Sequence, residues 1–433
     1  MGVEPATSPA QTTIEIARHL RWLPLWLFAP LASLILMRAA GFDTLDVASY
    51  HCYALAFWNG AHSTTTLPAG ACLMPQSALT AQPFHTLPVE YGPLALLAFL
   101  PPLLLPTAWY NLGFFVEMAL VIVGMTWLLA RYGAPGAGHA WLIFTIIGDW
   151  VPAAGRYDAL PAACVVVALV AARRGRLPWA YAALALGVLL KLYPIVLLPL
   201  LLMESWRARD RQPLWRGPAM FAALIALVEC LALAVNPASV WSPVSFMGER
   251  CAQIESFPAT LGFVWSHLVG ARLRFPYAFN STCEQTSVMG GAQGVALALG
   301  LVGIGLALTL FWQRRLTLGA AALLMVASLV IASKVFSPQY LLWMSSLVAL
   351  EYGVGAAALL GWGAVCLWTT ICFPLSYVGV TEALIHVRAQ TLVPVTAGIR
   401  NLLIVALGGA LLWRPVRDGW RAASDALRKG GAS

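Results

Sequence analysis

Charge is scarce in this chain. Lys, Arg, Asp and Glu make up 10% of 433 residues, against 60% for Ala, Val, Ile, Leu, Met, Phe, Trp, Tyr and Cys. That leaves too little polar surface to coat a water-soluble globule of this length. The motifs of soluble enzymes are missing as well: there is no glycine loop to cradle a nucleotide phosphate, no nucleophile elbow and no zinc-ligand spacing. Those absences argue against ATP-driven transport and hydrolase chemistry. His51, His62 and His85 share one stretch, yet no two stand one helical turn apart, so no metal site and no cofactor is expected. The net charge of +8 comes without a continuous basic stripe, which argues against a nucleic-acid partner. No small-residue cleavage motif follows the first apolar run, which gives way to Arg38 and a polar loop and so is expected to remain as a span.

What is present in abundance is apolar sequence. Runs recur from Leu23 to Trp413, on the scale needed to cross a hydrocarbon core of roughly 30 Å. The basic residues gather between them, at Arg173-Arg174-Gly175-Arg176, Arg207 to Arg216, Arg314-Arg315 and Arg414 to Lys429. That clustering is the positive-inside pattern, and by alternation it puts both termini in the cytoplasm. Spans are expected near 20–40, 109–130, 139–153, 158–173, 178–191, 194–204, 217–236, 291–311, 317–334, 338–350, 353–373 and 391–413. The fold expected is an all-α polytopic membrane protein, one integral domain over 1–433, with about 12 transmembrane helices in the cytoplasmic (inner) membrane.

Two long loops, 41–92 and 237–290, fall on the extracytoplasmic side and hold most of the outer polar groups, which makes them the expected chemical surface. The stretch from Tyr91 to Pro106, interrupted by Pro101 and Pro102, reads as a juxtamembrane or re-entrant helix. The cytoplasmic tail 414–433 is either an amphipathic helix lying on anionic lipid or a solvated tail. Cys52, Cys72, Cys251 and Cys283 sit in the outer loops. They allow three pairings, of which one bond within each loop is the simplest, or they stay as four free thiols.

Charges embedded in apolar sequence are the candidates for chemistry. Asp43 and Asp46 lie just past the first span, and if Asp46 opens a helix, Tyr50 and Tyr53 come round near its face, ready to hold a sugar. The plainer role for either Asp is a helix N-cap. Arg156 and Asp158 share one hairpin tip, Gly155-Arg156-Tyr157-Asp158, and Lys191 stands in another, Leu190-Lys191-Leu192-Tyr193-Pro194. A buried cation needs an anion, and a lipid-linked phosphate is a natural one; the plainer readings are a snorkelling lysine or an Arg156–Asp158 pair. Lys334, near Gln339 in Ser333 to Tyr340, presents the same situation. Glu90, Glu249, Arg250, Glu255 and His267 are loop residues that either touch acceptor or sugar or merely solvate the loops.

Several of these segments resemble, in order, those of the GT-C superfamily, in particular the polyprenol-phosphate-mannose-dependent mannosyltransferases that elongate phosphatidylinositol mannosides. Asp46-x-x-x-Tyr50 with Ala54-Leu55-Ala56 and Gly60 resembles that family's first outer loop, and Glu90-Tyr91-Gly92-Pro93-Leu94 its Tyr-Pro-Pro-Leu segment, with Gly92 where the family usually has proline. The tips at Arg156 and Lys191 and the element Ser337-Pro338-Gln339-Tyr340 resemble further family segments, so the likeness runs from residue 41 to about 350. The long insertion Ala61 to Pro88 departs from the pattern.

The resemblance implies a GT-C-like bundle and an inverting glycosyltransferase. Such an enzyme would move a sugar, mannose by this likeness, from a polyprenyl-phosphate donor to a lipid or glycan acceptor at the outer face of the membrane, among membrane lipids. Asp46 would be the general base, with Asp43 as competitor. Lys191, Arg156 and Lys334 would hold the donor phosphate without a metal, and Tyr50, Tyr53, Glu90, Tyr91, Asp158, His267 and Gln339 would bind sugar or acceptor. The rival expectation is a lipid or sugar transporter or flippase, since charges at span ends and broken helices also suit alternating access.

Overall fold

A computed structural model of the chain describes residues 23–39, 45–67, 72, 79–208, 213–279, 281–377 and 391–430. Helices dominate them. In chain order they are α1 Leu23–Ala39, α2 Leu45–Asn59, α3 Tyr110–Tyr132, α4 Ala137–Phe144, α5 Trp150–Gly155, α6 Ala159–Arg173, α7 Leu177–Leu190 and α8 Leu198–Arg207. Then follow α9 Arg216–Val235, α10 Ser242–Glu249, α11 Phe257–Val269, α12 Met289–Trp312, α13 Leu318–Ala332, α14 Tyr340–Tyr352, α15 Ala356–Thr370 and α16 Leu392–Gly430. The one ladder among the described residues pairs β1 Tyr277–Ala278 with β2 Ser281–Thr282.

A helix stands at each place where the sequence suggests a span. Five stretches are long and apolar enough to cross a bilayer unaided: Thr107–Tyr132, Arg216–Val235, Met289–Trp312, Ala356–Leu375 and Leu392–Trp413. Ala137–Gly155 and Ala159–Arg173, bent by 116° at their break, make a sixth if they count as one span. The chain is therefore a polytopic, membrane-embedded helical protein. Helix α7 has 14 residues, and at 1.5 Å per residue it rises roughly 21 Å, short of a hydrocarbon core. Helix α7 matches the length expected over 178–191, whereas α13, with 15 residues, is shorter than the span expected over 317–334.

Local chemistry explains the breaks. Prolines in the first turn start α7, α8 and α11, where a missing N–H is harmless. The Ser256 hydroxyl caps α11 by accepting from the Ala259 N–H at 3.3 Å, and the Thr317 hydroxyl caps α13 by accepting from the Ala320 N–H at 3.1 Å. Gly300 of α12 lies so near α13 that a Cβ there would come within 2.6 Å of the Ala332 Cβ, so these helices pack backbone to backbone. Helix α9 instead turns Met220, Leu227, Leu231 and Leu233 outward, a surface that lipid covers.

Each long loop holds its own disulfide, Cys52–Cys72 in the first and Cys251–Cys283 in the second. The stretch from Tyr91 to Pro106 is a chain of short helical turns, Pro93–Ala95, Leu96–Phe99 and Pro101–Leu104, because the prolines interrupt any longer helix. Under the first loop lies an aromatic core of Tyr50, Tyr53, Phe99, Tyr110, Phe114 and Tyr157, which joins α2 to α3 and to the tip between α5 and α6. The backbone of the tail is helical to Gly430 as a continuation of α16.

Candidate active site

Arg156 and Lys191 occupy equivalent places: each is the residue at which a helix stops. Both adopt extended backbone, Arg156 after α5 and Lys191 after α7, and each still donates its N–H back into the helix, to Pro152 and Gly187. Gly155 before the first and Pro194 after the second account for the stops. The Tyr157 hydroxyl ties the two tips together by donating to the Leu190 carbonyl at 3.2 Å.

The carboxylates are shared across these tips. Asp46, in the first turn of α2, reaches the Arg156 guanidinium at 2.5 Å. Asp158 accepts from the Lys191 ammonium at 2.7 Å and from the Trp343 indole N–H at 2.9 Å. The pairing is therefore crossed: the Arg156–Asp158 pair envisaged from sequence gives way to Arg156–Asp46 and Lys191–Asp158. Asp46 lies in the first turn of the helix and is engaged in an ion pair. Burial works against charge on Arg156, but Asp46, Tyr50, Asp158 and Tyr91 together outweigh it and hold the guanidinium above its usual range.

Aromatic rings make the floor and walls. The Lys191 ammonium lies 5.3 to 5.5 Å from the rings of Tyr157, Tyr340 and Trp343, an arrangement that attracts a cation. Tyr50 is buried, stacked on Phe99 at 4.4 Å and set edge-on to Tyr91 at 5.9 Å and Tyr157 at 5.6 Å. The Tyr53 hydroxyl accepts from the Val89 N–H at 3.3 Å, which positions Glu90. Burial raises the Glu90 carboxyl above its usual range, while Arg250 and Lys191 pull the other way and Asp46 adds to the rise.

Gly92 follows at once. A Cβ there would come 2.2 Å from the Leu189 carbonyl oxygen, so the Glu90-Tyr91 segment lies directly on the second tip. The glycine that departs from the resembled pattern is the residue that permits this approach, not a neutral change of path.

Some expected residues stand elsewhere. Lys334 donates from its ammonium to the Gly248 carbonyl at 2.9 Å and joins no carboxylate of the site. His267 is exposed on α11, its Nδ1 2.8 Å from the Phe263 carbonyl and its ring against Phe263, where it serves its own helix. Gln339 is buried with an Oε1 that has no hydrogen-bond partner, immediately before the Tyr340 ring that flanks Lys191. Asp43 lies outside the described residues. Among the described residues no group of three metal-ligating side chains forms.

Sequence reading passed over two features. Trp343 serves Asp158 directly, and nothing in its apolar context marks it. Arg400 of α16 is fully buried. It donates to the Glu255 carbonyl at 2.6 Å, places a second guanidinium nitrogen 3.7 Å from the Glu255 carboxylate, and covers the Phe336 ring at 3.7 Å. The signal was available: Ile399-Arg400-Asn401-Leu402 embeds a charge in an apolar run just as Lys191 is embedded.

Two crossed ion pairs over an aromatic floor can bind a polyhydroxylated ring, hold an anion and accept a proton. The sequence model described as glycosyltransferase family 87 matches residues 90–338, a stretch that holds Glu90, Arg156, Asp158, Lys191 and Arg250 but begins after Asp46. No curated protein matches the chain.

Proposed function

Given that the chain belongs to glycosyltransferase family 87, and is thus a GT-C-type glycosyltransferase, we propose that it transfers a sugar from a polyprenyl-phosphate donor to a hydroxyl of a lipid or glycan acceptor, with inversion. The observation that carries this reading is the meeting of Asp46–Arg156 and Asp158–Lys191 at two broken helix tips. Asp46 is the general base: it takes the proton of the acceptor hydroxyl as that oxygen attacks the anomeric carbon. The bond from that carbon to the phosphate oxygen breaks, and the electron pair leaves with the polyprenyl phosphate.

The leaving group gains negative charge as it departs. Arg156 and Lys191 are the cations that answer it, already oriented by their carboxylates, so that little reorganisation accompanies the step. The half-buried Tyr91 ring, backed by the buried rings of Tyr50 and Tyr157, offers flat apolar surface to a sugar, and Glu90 offers an acceptor for its hydroxyls, while the buried Asp158 orients Lys191. No divalent metal enters this scheme. The positive-inside pattern supports a site at the outer face of the cytoplasmic membrane, with about 12 helix crossings and both termini inside. Mannose is the sugar favoured by the family likeness, and family membership favours catalysis over transport.

The test is transfer of radiolabelled sugar from a polyprenyl-phosphate donor by purified protein. Asp46→Asn should abolish transfer while the protein remains folded and expressed. Full activity in that variant would remove Asp46 from the role of base.

A further inference from the structure

The proposed donor site carries less positive charge than its cations suggest. Arg156 is matched by Asp46 and Lys191 by Asp158, each within hydrogen-bond distance. An incoming phosphate therefore meets two neutralised pairs, with Glu90 beside them as a third acid. A leaving group whose negative charge grows during the reaction needs one more cation, and Lys334 turns its ammonium to the Gly248 carbonyl, away from the two ion pairs.

Arg250 is placed to supply it. Its segment lies along the Lys334–Tyr340 element of the site: the Lys334 ammonium donates to the Gly248 carbonyl at 2.9 Å, the Gln253 N–H donates to the Lys334 carbonyl at 2.8 Å, and Gln253 Oε1 accepts from the Ser337 hydroxyl at 3.1 Å. From there its charge acts on Glu90 and Tyr340. A guanidinium has five N–H donors. Here one nitrogen makes two long contacts, to the Phe279 carbonyl at 3.3 Å and the Ser281 hydroxyl at 3.5 Å, while the Nε is enclosed without a hydrogen-bond partner. The Phe246 ring supports the group from one side at 5.5 Å. Donor capacity thus remains for an anion.

What fixes Arg250 is the covalent bond of the next residue. Cys251 is bonded to Cys283, and the chain beyond it runs alongside the β1–β2 segment, where the Ile254 N–H donates to Thr282 and the Glu284 N–H to Ala252. Both acceptors of Arg250, at Phe279 and Ser281, belong to that same segment. One disulfide therefore sets the arginine and its two supports together.

We propose that Arg250 is a further ligand of the donor phosphate and that the Cys251–Cys283 disulfide holds it in that role, so that donor binding depends on this bond. The proposal rests on the reading of the site given above. Of the sources of phosphate, a polyprenyl phosphate is the one meant; inorganic phosphate serves as the control.

The experiment uses the full chain in detergent and measures donor and acceptor KM separately, with binding of polyprenyl monophosphate, the leaving group, read by thermal shift. Loss of one charge-assisted guanidinium contact weakens binding by about 10- to 100-fold. Arg250→Ala should raise donor KM by that factor, leave acceptor KM unchanged and abolish the thermal shift; Arg250→Lys should fall between it and the wild type. Cys251→Ser with Cys283→Ser should reproduce the donor defect, and Arg250→Ala added to that pair should cost nothing more.

Unchanged donor KM in Arg250→Ala would overturn the proposal, as would a fully additive loss when the substitutions are combined. Stabilisation by inorganic phosphate equal to that by polyprenyl phosphate would reduce the site to a general anion site and overturn the donor assignment. Wild-type protein that neither binds polyprenyl phosphate nor uses it as donor would sink the underlying reading, a result distinct from a wild type that uses the donor and is indifferent to Arg250.

Discussion

Removing the charge of Asp158 tests the site's architecture without any knowledge of the substrate. Its side chain is 1% exposed and that of its partner Lys191 16%, at 2.7 Å. At an effective dielectric of about 20 the gross attraction is about 6 kcal/mol. Much of that offsets desolvation, and deleting one member of a buried pair costs about 3–5 kcal/mol because the other charge is stranded. Asp158→Asn preserves shape and leaves Lys191 without a counter-charge. With an unfolding entropy of about 2 cal/mol/K per residue, the melting temperature in detergent should fall by about 3–5 °C.

Lys191→Met added to Asp158→Asn removes the stranded charge, so the double variant should melt above Asp158→Asn alone although both are inactive. Polyprenyl monophosphate should raise the melting temperature of Asp158→Asn more than that of wild type, since its phosphate supplies the missing anion. A double variant that melts at or below the single one would refute the claim that the pair, not the shape of Asp158, holds the tips.

Gly92→Ala forces a Cβ against the Leu189 carbonyl, and overpacking of this kind costs about 1–3 kcal/mol; a lower melting temperature together with reduced transfer is expected, and unchanged values of both would show that the two segments part freely. Glu284 is buried with neither carboxyl oxygen partnered among the described residues, and burial lifts its pKa from 4.5 to about 8. The folded state thus holds a proton that the unfolded chain releases earlier, so this stability is complete below about pH 4.5 and is lost as pH rises through about 8. Glu284→Gln should flatten that slope in a melting-temperature profile, and an unaltered slope would exclude Glu284 as its source. Transfer by protein treated with a chelator should match that of untreated protein; recovery only on adding Mg²⁺ or Mn²⁺ would mean that a metal shares the phosphate.

Reading from the sequence worked best where a residue violates its surroundings. Lys191 among leucines and Arg156 and Asp158 beside alanines are costly in lipid unless they act, and all three meet at one site. Asp46 was legible for the same reason. Who pairs with whom was not legible, because proximity of Arg156 and Asp158 along the chain says nothing of a helix break that turns their side chains toward different partners. Lys334 illustrates the limit: a lone cation at a helix end satisfies the same rule, but a carbonyl 86 residues away claims it. Span lengths misled in a similar way. Hydropathy runs through a helix end whenever the next turn is also apolar, so α13 is shorter than the span expected over 317–334.

The buried contact between Arg400 and Glu255 bears on how the protein is made. Glu255 belongs to the second loop, whereas its counter-ion sits on the final helix, 145 residues further along the chain. Until α16 is in place, the Glu255 carboxylate lacks its guanidinium and the neighbouring Phe336 ring its cover. A chain terminated before Arg400 would contain every residue of the candidate site and still lack the cation that holds Glu255 of the second loop.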